Sequence, residues 1–392
     1  MEFVAKQSAL LRELNLVQGV VEKKNTIPIL ANVLLVAGGD SVGVMATDLE
    51  VSVRSSLSAS VIKEGALSVS ARKLHEIVRA LPDSDVQFKT DGENWATIIC
   101  ERSKFRIMGL PKDDFPTLPS PGTAPKITFG IQQFREMVQK VIFAIAMEDA
   151  RFALNGALMV LNKNSVSLVA SDGHRLAHVS RPLACPWPNE ADTEIRVVVP
   201  QKALGELSRM AEEIGGEIVF SKEENQMFFE MGRCMLTSKL LEGQFPNFEK
   251  VLPKGNDKII ELDRIPFGDA LRRVSLLSSE RTRAVKIALT PGKLEISAKN
   301  PELGEASENL SIDYSGAEVE VGFNAKYILD FLSVVETDRV IFEMKDEATQ
   351  GLLRPAAGTP PKKGKGPKET EKEPAGTGTA GEYNYVVMPM RI

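Results

Sequence analysis

The sequence predicts an α+β fold of three tandem repeats, each formed by two helices on an antiparallel sheet. Two observations support this prediction. Similar segments recur at intervals of 124–130 residues along the 392-residue chain, and helical and strand-like stretches follow in the same order in each copy. The intervals predict domains at 1–122, 123–252 and 253–392.

The first recurring segment is a strand pair that ends in an aspartate or an asparagine. The motifs ATDLE and ASDGH align Asp48 with Asp172, 124 residues later, and the weaker copy AKNPE aligns Asn300 a further 128 residues along. Because Asp and Asn commonly shape turns, the shared position predicts a turn at the end of this strand.

Two more sets of segments recur at nearly the same interval. Lys73, Lys202 and Lys326 lie near the starts of similar helical stretches, at intervals of 129 and 124 residues. The motifs DFPTLP and QFPNFEKVLP place Phe115 and Phe245 130 residues apart. Three independent sets at one interval indicate an internal repeat.

Apolar residues at helical spacing predict two helices per repeat, in the windows 6–21, 71–81, 131–147, 201–214, 264–277 and 324–335. Alternation such as VGVMATDLEVSV, broken by Gly, Asn and Asp, predicts strands elsewhere. The six windows hold 13 Lys or Arg and 8 Asp or Glu, a net charge of +5 within a chain of −5. The helices are therefore basic and the remainder acidic, although ordinary solvated helix faces are an alternative explanation.

Composition argues against several classes of protein. The three cysteines lie far apart without a CxxC motif, which disfavours a disulfide framework or a zinc site and fits a reducing compartment. The N-terminal stretch lacks the apolar core of a signal peptide, and no apolar run reaches 18 residues. We therefore expect a soluble cytoplasmic protein.

The stretch VASDGHRLA contains Ser171, Asp172 and His174, the residue types of a hydrolytic triad. A triad is normally assembled from distant segments, and the chain has no GxSxG elbow. The corresponding stretches of the other repeats read TDLE and KNPE, so a triad would be confined to one repeat. A hydrolase using Ser171 and His174 remains an alternative, but a turn is the expected structure.

Motifs that span the whole chain carry a family resemblance: TIPILANVLL, ATDLE, SARKL, DFPTLP, ARFALNGAL, SDGHRLA, TSKLLEGQFPNFEKVLPK, YSGAEVEVGFNAKYILDFL and the terminal YVVMPMRI. With them the chain resembles the bacterial sliding clamp, the β subunit of DNA polymerase III. The resemblance implies three DNA-clamp domains and a head-to-tail homodimer, a six-domain ring around double-stranded DNA. It also implies a processivity factor without catalytic activity, and we expect no cofactor and no metal.

The resemblance implies partners and a groove for them. The partners are the catalytic subunit of DNA polymerase III, the clamp loader, other polymerases and repair proteins, all bound through short peptide motifs. A repeat scaffold that binds peptides without encircling DNA is the rival interpretation. The groove positions are Leu154, Ser171, Gly173, His174, Arg175, Leu176, Pro246, Lys250, Val251, Val386, Val387, Met388, Pro389, Met390 and Arg391.

The chemistry of these groove residues suits a peptide. Leu, Val, Pro and Met would form an apolar concavity, and Met388 and Met390 can adapt to different partners. Arg175 and His174 can hydrogen-bond a peptide backbone or carboxylate, and His174 would be a rim residue of the groove. Lys250 stands where the family usually has Arg, which removes a bidentate contact. The terminal VVMPMR also reads as a last strand, and both interpretations can hold together.

Two further surfaces follow from the resemblance. The DNA-facing positions are Lys24, Arg72, Arg79, Arg151 and Phe152, with Lys73 and Lys202 as weaker candidates. For each of these basic residues, the alternative is a solvated surface charge that does not contact DNA. Phe152 and Ala153 stand where the family has a tyrosine pair. At the dimer contact, an edge strand with Phe105 and Ile107 would meet Leu276 and Leu277, and Arg102 and Lys104 would face Glu302 and Glu305. The alternative for Phe105, Ile107, Leu276 and Leu277 is that they pack in the core of the chain.

Residues 355–382 depart from the family, which has a short hairpin connection there. They contain six Gly, five Pro, five Lys and four Glu, with no Leu, Ile, Val or aromatic residue. Such a composition cannot bury enough apolar surface to order itself. We expect a disordered insert just before the last strand, and its role is not indicated by the sequence.

Overall fold

The structure is a computed structural model that describes residues 1–21, 27–183, 194–356 and 381–391. Lys24 and most of the predicted disordered insert lie outside these residues. The described helices are α1 (Gln7–Gln18), α2 (Ala71–Ala80), α3 (Ile131–Val141), α4 (Gln201–Glu213), α5 (Arg264–Ser275) and α6 (Ala325–Val334). One helix lies in each predicted window, which confirms the helical pattern of the repeats.

The described strands follow in chain order. The first are β1 (Glu2–Lys6), β2 (Asn32–Gly38), β3 (Ser41–Thr47), β4 (Val51–Ser58), β5 (Ser60–Lys63), β6 (Gly65–Ser70), β7 (Asp85–Thr90), β8 (Trp95–Cys100), β9 (Ser103–Leu110), β10 (Lys126–Gly130), β11 (Gly156–Asn162), β12 (Ser165–Ser171) and β13 (Arg175–Pro182). They continue with β14 (Glu194–Pro200), β15 (Glu217–Glu223), β16 (Gln226–Met231), β17 (Cys234–Lys239), β18 (Lys258–Asp263), β19 (Ala284–Thr290), β20 (Lys293–Asn300), β21 (Gly304–Ser311), β22 (Val319–Asn324), β23 (Arg339–Met344), β24 (Gly351–Pro355) and β25 (Tyr383–Val387).

The helices are slightly shorter than the predicted windows, and two of them begin at a side-chain cap. At the start of α2 the Ser70 hydroxyl accepts the Lys73 N–H, and at the start of α6 Asn324 accepts the Lys326 N–H. These bonds satisfy amides that the helix leaves without a partner. Helix α3 ends at Val141, and a short 3-10 turn follows it directly.

The chain forms two compact units, apart from residues outside the described ranges. The first unit comprises Met1–Arg135 and Val199–Leu240, and the second comprises Glu136–Ala184, Thr193–Val198 and Leu241–Ile392. The first unit has a 13-stranded sheet, in the order β10-β15-β16-β17-β4-β3-β2-β6-β9-β8-β7-β1-β5. The second has an eight-stranded sheet, β14-β11-β12-β13-β25-β24-β23-β18, and a four-stranded sheet, β21-β20-β19-β22.

Strands of neighbouring repeats pair directly. In the first unit β4 pairs antiparallel with β17, and in the second unit β13 pairs antiparallel with β25. Because adjacent repeats share a sheet in this way, the compact units do not follow the repeats. The domain boundaries drawn from the sequence stay a prediction.

The turn predicted from the repeated aspartate is present. Asp172 Oδ1 accepts the backbone N–H groups of His174 and Arg175 at 2.9 and 3.0 Å. Asp48 Oδ1 accepts two backbone N–H groups in the same way, and Asn300 Oδ1 accepts that of Glu302 at 2.9 Å. One local side-chain bond therefore shapes the equivalent turn of all three repeats.

The predicted insert joins two neighbouring strands. β24 and β25 pair antiparallel, with Leu352 opposite Val386, so the chain between them leaves and returns at one end of the sheet. Added length is well tolerated at such a position. The prediction that this segment precedes the last strand is confirmed, whereas its predicted disorder concerns residues outside the described ranges.

Candidate functional site

Several of the predicted groove residues belong to an apolar cluster in the second unit. Leu176 of β13 and Val386 of β25 are both almost fully buried in it. The other buried members are Leu158, Val160, Val169, Val198 and Phe248, and the partly buried residues packed on them are Leu241, Phe245, Val251, Leu252 and Leu352. Hydrogen-bonded neighbouring strands thus bring distant segments together into one apolar surface.

The C-terminal segment lies against the SDGHR turn. The Met388 N–H donates to the His174 carbonyl at 2.9 Å, and the Met390 N–H donates to the Gly322 carbonyl at 2.8 Å. Val386 and Val387 are fully buried in β25, whereas Met388 and Met390 are half-exposed. The terminal VVMPMR is therefore a strand that continues into an accessible apolar edge.

Arg175 is buried, and its guanidinium donors bind acceptors within the chain. Its Nε donates to Asp172 at 3.0 Å, its Nη1 to Asp330 at 2.6 Å and its Nη2 to the Phe143 carbonyl at 2.5 Å, while the Tyr327 ring lies 4.4 Å away. Burial disfavours the charge, but neighbouring groups such as Asp330 outweigh it and raise the pKa of Arg175. These contacts show that the side chain holds the turn, and the expectation that Arg175 also hydrogen-bonds a peptide stays a prediction.

The other polar residues of the turn have distinct surroundings. His174 is exposed, as the rim position requires. The Ser171 hydroxyl donates to the Arg175 carbonyl at 2.8 Å, and the Asp172 carboxylate is engaged by the turn and by Arg175. Ser171 and Asp172 therefore do not form a relay with the His174 imidazole, which counts against the hydrolase alternative.

Arg151 lies beside the same turn. It is 61% exposed and pairs with Asp149 through two bonds, and these hydrogen bonds lower the pKa of the Asp149 carboxyl to about 2. Its Nη2 would lie 3.2 Å from a Cβ added to Gly173, whose φ is +87°. Glycine at position 173 thus meets both a backbone and a space requirement. Phe152 is 66% exposed, whereas Leu154 is buried.

The remaining groove positions lie at its edge. Pro246, Lys250 and Arg391 are exposed, and Val251 and Pro389 are half-buried. Sequence reasoning missed Phe143, Tyr327 and Asp330, which together fix Arg175. The sequence signal for two of them was their place in the motif NAKYILDFL, which supported the helix pattern and the family resemblance but no role in the groove.

The candidate DNA-contacting side chains differ in their exposure and in the ion pairs that they form. Arg72 and Arg79 are exposed on α2, and Arg72 shares Glu76 with Lys73. Hydrogen bonds from Lys73 and Arg72 lower the pKa of Glu76 to about 2. Lys202, by contrast, binds Asp48 and the Val20 carbonyl inside the first unit, and its side chain is 35% exposed. Lys202 therefore serves an internal ion pair in this structure.

The candidate dimer residues lie on accessible surfaces. Phe105 is 36% exposed and Leu276 is 77% exposed, so the core-packing alternative is wrong for both. Ile107 and Leu277 are half-buried. Strand β9 pairs with β8 along its length but with β6 only at Gly109 and Leu110, and β21 pairs only with β20 among the described strands. Both strands therefore present an unpaired edge.

The described part of the chain has neither a candidate metal site nor a helix that could span a membrane. Within it, no group of three or more His, Cys, Asp or Glu side chains could hold a metal ion. No helix there is long and apolar enough to cross a membrane.

Comparison with known proteins places this geometry in a family. Models of the N-terminal, central and C-terminal domains of the DNA polymerase III beta subunit match residues 1–119, 129–247 and 249–360. The chain is 36% identical to the beta sliding clamp of Pseudomonas putida and 32% identical to that of Escherichia coli, in each case covering 100% of both chains. A solved sliding clamp of Pseudomonas aeruginosa matches with 34% identity and a TM-score of 0.87, and one from Caulobacter crescentus with 34% and 0.86, again over 100% of both chains.

The fold and these matches define a protein of three DNA-clamp domains. The chain belongs to the DNA polymerase III beta subunit family, the β sliding clamps. Members of this family are non-catalytic processivity subunits of the polymerase.

Proposed function

We propose that two copies of this chain join head to tail in the cytoplasm, encircle double-stranded DNA and tether DNA polymerase III and other partners. The partners would bind as short peptides in the groove formed by the SDGHR turn, the FPNFEKV segment and the C-terminal segment. The observation that carries the proposal is the full-length match to sliding clamps, together with an accessible apolar surface at this groove. The three domains would correspond to 1–122, 123–252 and 253–392.

Strand pairing within the chain supports a specific dimer contact. The last strand of the second repeat, β17, pairs with β4 of the first, and the last strand of the third, β25, pairs with β13 of the second. In both cases the last strand of a repeat pairs with the strand that follows the turn of the preceding repeat. Two strands remain without such a partner: β9, the last of the first repeat, and β21, which follows the turn of the third. Both keep an unpaired edge, so β9 of one copy is expected to pair antiparallel with β21 of the other.

The internal register can be transferred to this contact. Ser238, four residues after the start of β17, is opposite Val51, three residues after the turn aspartate. The equivalent positions are Ile107, four residues after the start of β9, and Leu303, three residues after Asn300. We therefore expect Ile107 opposite Leu303, which is 56% exposed in the single chain.

The proposed contact with DNA is electrostatic and independent of sequence, as sliding requires. Arg72 and Arg79 are the described candidates that project from α2 into solvent. Replacing both with glutamate should reduce retention on nicked circular DNA, most strongly at low salt. Lys63→Glu, which reverses one charge on strand β5 where the double variant reverses two on α2, is the control. Equal retention of the double variant and the control across a salt titration would remove these arginines from the contact.

Encirclement of DNA distinguishes a clamp from a scaffold that only binds peptides. After loading onto a nicked circular plasmid, the protein should stay bound during gel filtration and should dissociate once the plasmid is cut at one site. A scaffold that binds DNA from one side would be retained equally on both forms. That result would contradict the ring and leave only the peptide-binding role.

A further inference from the structure

The first unit contains a cleft of about 340 Å³. One wall is the turn after β3, the second is the FPTLP loop, and the third is formed by β16 and β17. Thr47, Leu49, Glu50, Leu118, Gln226 and Lys239 are among its lining residues. In the alignment of the repeats, each wall corresponds to a wall of the groove in the second unit.

The backbone of the cleft repeats that of the groove. The third residue of the turn has φ +78° at Leu49 in the cleft and +87° at Gly173 in the groove. The strand that follows the turn pairs in the same register, Val51 with Ser238 as Arg175 with Val387. The backbone arrangement around the predicted groove therefore occurs a second time at the cleft.

The FPTLP loop is held in place from within the first unit. Arg54 of β4 donates from Nη2 to the Leu118 carbonyl and from Nη1 to the Ser120 hydroxyl, both at 3.4 Å. Leu118 also packs on a cluster that includes buried Phe115. This wall of the cleft is thus formed before any ligand arrives.

Leu49 points to a role other than folding. A left-handed backbone is strained for a leucine, and glycine avoids this strain. Yet the leucine side chain is 44% exposed and lines the cleft. The turn would form at least as well with glycine, so the leucine contributes apolar surface at the mouth of the cleft instead of stability.

The polar lining suits an uncharged chain with amide groups. Gln226 contributes an uncharged amide to the lining. The two charges at the rim, Glu50 and Lys239, pair with each other at 2.9 Å and are both largely exposed. The cleft therefore offers an occupant apolar surface and an uncharged amide, but no net charge.

We propose that this cleft is a second peptide site, which takes an extended, uncharged segment of a partner protein with a leucine-like side chain. The side chain lies between Leu49 and Leu118, and the peptide backbone contacts the Gln226 amide. The proposal goes beyond the function proposed above and rests on it only for the premise that the equivalent groove binds a peptide.

The probe for this site is the uncharged peptide acetyl-Ser-Leu-Leu-Ser-amide, titrated into the full-length protein with labelled Leu and Thr methyl groups. We expect saturable NMR shifts at Leu49, Leu118 and Thr237. Leu49→Gly, which removes the apolar wall and relieves the backbone, and Gln226→Met, which removes the amide from the lining, should each weaken binding about tenfold, as for loss of an anchor contact.

Deleting Met388–Ile392 supplies the matched control, because it alters the groove and leaves the cleft intact. Cleft shifts that persist in this deletion support the second site even if the groove proves not to bind partner peptides. An absence of shifts at the three cleft residues, or affinities unchanged by Leu49→Gly and Gln226→Met, would overturn it.

Discussion

Arg175 donates from Nη1 to Asp330 Oδ2 at 2.6 Å, across 155 residues of sequence, and so ties the SDGHR turn to helix α6. The same guanidinium also binds Asp172 and the Phe143 carbonyl. This one side chain determines where the groove turn lies, although it is itself buried.

Replacing Arg175 with lysine should destabilise the second unit and weaken peptide binding together. A lysine cannot reproduce the three directional bonds of a guanidinium, and we expect a loss of about 1–3 kcal/mol in the free energy of unfolding. Urea unfolding followed by circular dichroism measures it. Lys250→Ala, at an exposed position of the same groove, should change stability by less than about 0.5 kcal/mol. Equal stabilities for the two variants would contradict a structural role for Arg175.

Truncating Leu276 and Leu277 to alanine should convert the proposed dimer to monomers. Loss of buried interface anchors costs on the order of 2 kcal/mol or more each. Mass photometry at nanomolar concentration reports the oligomeric state. Ile62→Ala is the matched control, because Ile62 is 61% exposed but lies outside the proposed contact. A double variant that remains dimeric at this concentration would show that the contact lies elsewhere.

The C-terminal segment should be required for peptide binding but not for dimerisation. Deleting Met388–Ile392 removes two half-exposed Met side chains and leaves Val386 and Val387 in β25. We expect a dimer that no longer binds a leucine-containing polymerase peptide in calorimetric titration. Full-strength binding by this deletion would refute the assigned groove.

Shortening the segment 357–380 to a brief turn should leave both dimerisation and peptide binding nearly unchanged. The segment joins adjacent strands, and keeping Ala356 preserves its bond to the Arg339 carbonyl. The same calorimetric titration tests this shortened chain. A loss of peptide affinity would show that the insert contributes to the groove.

Acidification should destabilise the second unit through His178. This residue is buried beside Phe248, and desolvation lowers its pKa below the ordinary value of 6.5, against weaker opposing effects of Glu382 and Glu249. The unfolded chain therefore binds a proton more readily than the folded one, so stability is lost as the pH falls below about 6.5.

The pH dependence is measured by urea unfolding at about pH 7.5 and about pH 5.5, on either side of the unfolded pKa. In His178→Phe the loss at the lower pH should be smaller than in the parent chain. It should not vanish, because the pKa of His75 is also lowered by burial. His174→Gln, at the exposed rim, should retain the parent behaviour, and an identical pH dependence in His178→Phe would contradict the assignment.

The repeats, the six helices and the repeated turns were all predictable from the sequence, because each depends on interactions among residues a few positions apart. Apolar spacing determines which face of a helix is buried, and a single Asp or Asn side chain closes its own turn. The exposed rim position of His174 and the apolar character of the groove followed from the family resemblance and not from local patterns.

Only the tertiary structure decided which distant groups meet. The sequence shows that Arg175 and Lys202 are basic, but not that one is buried against Asp330 and the other bound to Asp48. Nor does it show that β4 pairs with β17 of the next repeat. The physical reason is that a charge becomes internal only when the fold brings an acceptor to it and excludes water, and no local spacing encodes that encounter.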